Sequence, residues 1–151
     1  MYEHDERHSR NAKQETSGEK TVMLFAQFVD LASIILRLAI GSAFMIHGYP
    51  KLKQNEQGKG WMKSMGLPTA LIPFAGVVEF FGGLGLILGI LTPVIAFLSA
   101  LWMLSTTWLS VTKIKKKYQG GLEIDITLLL AALALTFLGG GTFSIDHLIG
   151  L

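Results

Sequence analysis

The sequence has no cysteine. Disulfides, thiol redox pairs, iron–sulfur clusters and thiolate-held metals are therefore excluded from this chain. Charge is scarce too: 16% of the 151 residues are Asp, Glu, Lys or Arg, against about a quarter in average soluble domains. The net charge is only +2, and no basic groove interleaved with aromatics is present, so nucleic acid is not an expected partner. No nucleophile triad, phosphate loop, dinucleotide-binding loop or metal-ligand cluster occurs. No catalytic residue is assigned on this basis and no metal is expected. The stretch from Tyr2 to Lys20 is polar and mixed in charge, unlike a cleaved signal peptide.

Half of the residues are hydrophobic, and their distribution is the stronger signal. Nearly all charges fall in the first 20 residues, in Lys51–Lys63 or in Lys113–Asp125. The runs between them lack the polar face that a water-exposed helix of that length needs. A bilayer core of about 30 Å takes about 20 helical residues. Four such segments are expected: 29–47, with its apolar stretch starting as early as Val22; 69–91; 93–111; and 124–138, extendable to Phe143. The fourth is the shortest. The expected architecture is all-α, a four-transmembrane-helix bundle over 29–150, preceded by a polar tail over 1–28 that is flexible or lies on the membrane surface. Its primary partner is the lipid bilayer of the cell membrane, and a homo-oligomer is compatible with the pattern. Leu91-Thr92-Pro93 reads as a tight turn, which makes segments two and three an antiparallel hairpin. Trp61 reads as an interface anchor, and Trp102 and Trp108 as packing or belt residues.

With four spans, the 1–2 and 3–4 links share one side. They hold Lys51, Lys53, Lys59, Lys63 and the four lysines between 113 and 117. The excess of positive charge on cytoplasmic links places them inside and both termini outside.

Arg37 and Glu79 are the sharpest chemical feature. A charge at mid-bilayer costs about 2.5 to more than 10 kcal/mol, so neither should face lipid. Counted from the segment ends, their depths differ by only about 6 Å at 1.5 Å per residue, and the expectation is that they pair inside the bundle. That pair reads either as a structural bond fixing helix register or as a polar site for a quinone head group, a proton path or a small anion. Gly41 shares a face with Arg37, Gly82 and Gly83 share one with Glu79, and Gly85 and Gly89 have G-x-x-x-G spacing; with Gly48 they are candidates for close helix packing. His47 and His147 fall on opposite membrane faces, which argues against joint haem ligation. Asp125, with Glu123, opens the fourth segment, where acids complement the helix dipole. Ser105, Thr106, Thr107 and Ser110 read as hydroxyls bonded to the backbone one turn earlier.

Several stretches resemble the DoxX family of small integral membrane proteins. The run from Arg37 through Gly41, Phe44, His47 and Gly48 to Lys51-Leu52 is similar to its first-helix signature. Glu79, Gly82, Gly83, Leu86, Gly89 and Thr92 match the second, Gly66-Leu67-Pro68 fits the approach to it, and Gly139-Gly140-Gly141 with Ser144 and Asp146 resembles the family's close. The resemblance covers roughly 29–150. It implies a four-helix membrane protein and points to an accessory membrane subunit of a quinone-linked redox or oxidative-stress system, of the thiosulfate:quinone oxidoreductase type. Such a subunit is not catalytic alone. It has no intrinsic cofactor; it takes quinone as its ligand and a soluble or membrane oxidoreductase as its partner. Carried over by position, His47, Lys51, Ser144 and Asp146 join Arg37 and Glu79 as a ligand, interface or packing set. Two other readings stay open: a small proton or solute transporter, and a scaffold with no ligand.

Overall fold

A computed structural model describes residues 2–53 and 56–151, with side chains from Gly18 onward apart from those of Gln57 and Trp61. Among the described residues there are helices and the turns and short links between them, and no strand. Helix α1 spans Tyr2–Leu52, α2 Glu56–Ser64, α3 Leu71–Leu88, α4 Thr92–Leu109, α5 Leu122–Leu138 and α6 Ile145–Leu148. A π-helical turn at Ser110–Ile114 prolongs α4, and a 3₁₀ turn at Tyr118–Gly120 precedes α5.

α1 runs without interruption from the polar segment over 1–28 into the membrane domain. The segment is rich in Glu, Lys, Arg, Gln and Ala, which are good helix formers, so its polarity does not oppose helix. Whether the tail touches the membrane surface concerns side chains outside the described residues, as does the anchoring role expected of Trp61.

α1, α3, α4 and α5 form the bundle. α1 packs along α3 and α4 along α5; α1–α5 and α3–α4 contacts close the ring. The α1–α3 seam is built on glycine. A Cβ at Gly41 would come within 2.7 Å of the Gly83 carbonyl oxygen, and one at Gly48 within 3.0 Å of the Gly76 carbonyl oxygen. Gly41 thus faces Gly83 and Gly48 faces Gly76, an antiparallel register in which the backbones nearly touch. Gly85 plays the same part between α3 and α4, against Ile95. Gly82 does not: nothing lies within 4 Å of its Cβ position, because it is one position round the helix from the seam.

The bundle is apolar outside and partly polar inside. Leu38, Phe74, Phe81, Leu98 and Leu104 are exposed on its outer surface, whereas Arg37, Glu79 and Asp146 are at most 7% exposed. Ile40, Phe44, Leu86 and Leu135 fill the interior between them. That inversion suits a hydrocarbon solvent. Gly18–Leu52, Leu71–Leu88 and Thr92–Ile114 are each long and apolar enough to cross a membrane. α5 has 17 residues, about 26 Å of helix. It falls short of the hydrocarbon thickness, so the bilayer thins beside it or the chain after it completes the crossing.

Candidate functional site

The two buried charges that the sequence suggests as partners do not meet. Gly41 opposite Gly83 sets Arg37 level with Ile87, eight residues along α3 from Glu79, a separation of about 12 Å. Each charge organises a centre of its own, at opposite ends of the bundle.

The first centre closes the end that carries the α3–α4 turn. Nε of Arg37 donates to the Leu86 carbonyl at 2.9 Å, and Nη2 to that of Ile87 at 2.8 Å. Nη1 donates to the carbonyls of Gly140 at 2.9 Å and Phe143 at 3.0 Å. Leu86 and Ile87 lie in the last turn of α3, where carbonyls have no partner within the helix and cations are favoured. Across the turn, Asp146 accepts from the amides of Leu91 and Thr92 (2.7 Å for Thr92), where α4 begins. Arg37 thus caps the negative end of one helix and Asp146 the positive end of the next. Burial pushes the Asp146 carboxyl up, but the Thr92 and Leu91 hydrogen bonds and the Arg37 charge outweigh it and hold the group below its usual range. Leu91 sits at φ 45°, a costly conformation for a branched residue that the Asp146 bond fixes.

Gly89 is required on two counts. Its φ of +70° caps α3, and a Cβ would stand 2.5 Å from Nη2 of Arg37. Ser33 donates to the Gly139 carbonyl at 2.6 Å, and Asp30 accepts from the Thr142 hydroxyl at 2.7 Å. Ser144 caps α6, accepting from the His147 amide at 3.1 Å. Every polar group named here is committed to holding chain ends together. Ser144 and Asp146, grouped by sequence as ligand or interface candidates, both take part in this clamp. Asp30, Ser33 and Thr142 were missed, although Asp30, Ser33 and Arg37 share one α1 face by helical spacing.

The second centre lies toward the lysine-rich end. Nζ of Lys51 is 2.6 Å from each Glu79 carboxylate oxygen, and the Trp102 indole donates to Oε1 at 3.1 Å. The Glu79 side chain is 8% exposed and that of Lys51 35%, so the pair spans the boundary between interior and surface. It forms one wall of a cavity of about 280 Å³. His47 stands one turn before Lys51 on the same wall; Thr106 and Ser110 come from α4, and Asp125 from α5. Asp125 pairs with Lys116 at 2.9 Å, so it does more than meet the α5 dipole. Phe44, Met103, Ile124 and Leu128 supply the apolar lining. The π-helical turn begins at Ser110, and the Lys116 amide bonds back to the Ser110 carbonyl at 3.0 Å. Turns of this kind recur at functional sites, and this one brings Lys116 over the cavity. An apolar recess with a few convergent polar groups is the form of a small-molecule site.

A family model described as DoxX matches residues 32–112. The chain is 26% identical over 117 residues to "Putative oxidoreductase CatD" of Bacillus subtilis, covering 78% of this chain and 86% of that protein. It is also 26% identical over 121 residues to "Inner membrane protein YqjF" of Escherichia coli, covering 80% and 93%. No solved structure matches.

Proposed function

Because the chain belongs to the DoxX family, we propose that it is a membrane subunit that presents a quinone to a partner oxidoreductase, with the head group in the cavity beside Glu79, Lys51 and His47. One observation carries this reading. A buried carboxylate, held by an indole N–H from behind, and an ammonium stand on the wall of a recess of mixed polar and apolar lining inside a lipid-facing bundle. Water-soluble metabolites do not need such a site; an amphiphile dissolved in the bilayer does.

The chemistry divides simply. Reducing a quinone to a quinol takes two electrons and two protons. With no cysteine, this chain holds no iron–sulfur cluster or thiol relay, so the electrons come from the partner. One relative is itself named an oxidoreductase, which supports redox chemistry at this membrane. Lys51 donates to a quinone carbonyl oxygen and stabilises the negative charge that reduction develops there. Glu79 and His47, both on the cavity, are the groups able to pass protons toward the lysine-rich face. By the positive-inside bias that face is cytoplasmic and both termini lie outside. The Arg37–Asp146 clamp holds the far end of the bundle rigid meanwhile.

The test uses the Trp102 indole as a reporter. Protein carrying Trp61→Phe and Trp108→Phe, purified in mild detergent, is titrated with a short-chain quinone while Trp102 fluorescence is followed. Saturable quenching is expected, and Glu79→Gln should weaken it about tenfold, roughly 1.4 kcal/mol. Linear, non-saturating quenching in the parent protein rules the site out.

A further inference from the structure

α3 and α4 are joined tightly at one end and part at the other. Near the turn, Gly85 packs directly on Ile95. Toward the lysine-rich end the contact between them rests on side chains that reach across, with the Phe74 and Trp102 rings 5.9 Å apart. Toward that end the helices flank a second cavity of about 350 Å³. Its walls are apolar: Leu71, Ile72 and Ala75 from α3, and Leu109 and Ile114 from α4 and its π-helical turn. α2 lies over its end, and Met62, 8% exposed, is the α2 side chain that plugs it.

This second cavity lies directly beside the first. Lys51, Thr106 and Ser110 line both. The ammonium that meets Glu79 therefore stands at a junction, with a polar recess on one side and an apolar one on the other. Two different solvents for two parts of one molecule are what an amphiphile needs. The outer ends of the α3 and α4 walls carry exposed Leu71, Phe74 and Val111, so the apolar cavity borders hydrocarbon rather than water.

Resting on the quinone reading above, we infer that the cavity between α2, α3 and α4 holds the hydrocarbon chain of the same ligand. The ligand class is then a long-chain isoprenoid quinone, which enters sideways from the bilayer between α3 and α4. α2 covers the chain from the membrane surface. A tailless quinone fills only the recess at Glu79 and leaves the second cavity to Met62.

Filling the second cavity separates the two parts. Wild-type protein, Ala75→Trp and the outward-facing control Leu104→Trp are titrated in one detergent with a tailless quinone and with a long-chain isoprenoid quinone of the same ring. The control accounts for partition into the micelle. Wild type and control should bind the long-chain form at least about tenfold more tightly. Ala75→Trp should keep the tailless affinity and lose most of that advantage. Should Ala75→Trp lose helical circular dichroism or monodisperse elution, Ile114→Trp fills the same space from the opposite wall. Equal weakening of both quinones, or an unchanged preference for the long chain, overturns the inference. So does release of a phospholipid by Ala75→Trp with both quinone affinities unchanged, which makes the occupant a lipid chain. A tailless quinone that binds wild type normally with no gain from the chain defeats this inference alone. Failure of both quinones to bind wild type defeats the head-group reading and this one with it.

Discussion

Removing the Arg37 guanidinium should be among the most damaging single changes in this protein, and its effect should couple to Asp146, not to Glu79. Arg37→Met abolishes four hydrogen bonds from a charged donor to the carbonyls of Leu86, Ile87, Gly140 and Phe143. Bonds to charged groups contribute about 1.5–3 kcal/mol each, though not additively, and breaking a buried charged network from one side costs about 3–5 kcal/mol. A loss of about 3–5 kcal/mol is expected. Asp146→Asn keeps an acceptor for the start of α4 but loses the charge, which costs about 1–2 kcal/mol. Both residues clamp the same α3–α4 turn, so the double variant should be milder than the sum by about 1 kcal/mol or more. Arg37 and Glu79 stand about 12 Å apart in register, and Arg37→Met with Glu79→Gln should add within about 0.5 kcal/mol. Reversible unfolding in mixed micelles, followed by circular dichroism, measures all five variants. Strong coupling of Arg37 to Glu79 with additivity between Arg37 and Asp146 would refute this assignment of partners.

Other expectations follow from the same geometry. Gly83→Ala drives a Cβ to 2.5 Å from the Gly41 carbonyl oxygen, whereas at Gly82 nothing is in reach; the first should destabilise by about 1–3 kcal/mol and the second should be near neutral in the same unfolding assay. The Asp146 carboxyl is held below its usual range, so its contribution is complete above the unfolded carboxylate value of about 3.9 and is lost as pH falls through the lower folded value. Thermal scans from pH 6 downward should therefore show acid destabilisation that Asp146→Asn makes shallower. Because the chain lacks cysteine, single-cysteine labelling reads orientation directly: Leu148→Cys should react with an impermeant maleimide in intact cells and Lys115→Cys only after permeabilisation. The opposite pattern would invert the topology.

The architecture was legible in the sequence because hydrocarbon imposes a simple rule. Long apolar runs must be helices, and the charges left inside them must be buried, as Arg37 and Glu79 are. The pairing was not legible, for two physical reasons. Depth counted from the polar edge of a segment drifts by several residues when the helix continues past that edge, as α1 does. Register is set instead by where Gly41 and Gly48 meet Gly83 and Gly76, and a single sequence does not show which glycines face each other. Second, the partners of Arg37 are main-chain carbonyls, which every residue carries and no motif marks. Lys51 illustrates the converse: its place after segment one counts it among the lysines of the 1–2 link, yet its long stem reaches back to Glu79. The lysine-end cavity depends on a π-helical turn at Ser110–Ile114, and nothing in Ser-Val-Thr-Lys-Ile distinguishes it from the α-helix before it. Among the glycines, those on the seam and Gly82 differ only by position around the helix.

A quinone proposed for the recess at Glu79, Lys51 and His47 should be bound there in the living membrane. Extracting protein purified from native membranes in mild detergent, and quantifying quinone per chain by chromatography, tests it most directly. Close to one quinone per wild-type chain is expected, with a large loss in Glu79→Gln of unchanged helical content. Wild-type protein that carries no more quinone than an unrelated membrane protein prepared alongside would contradict it.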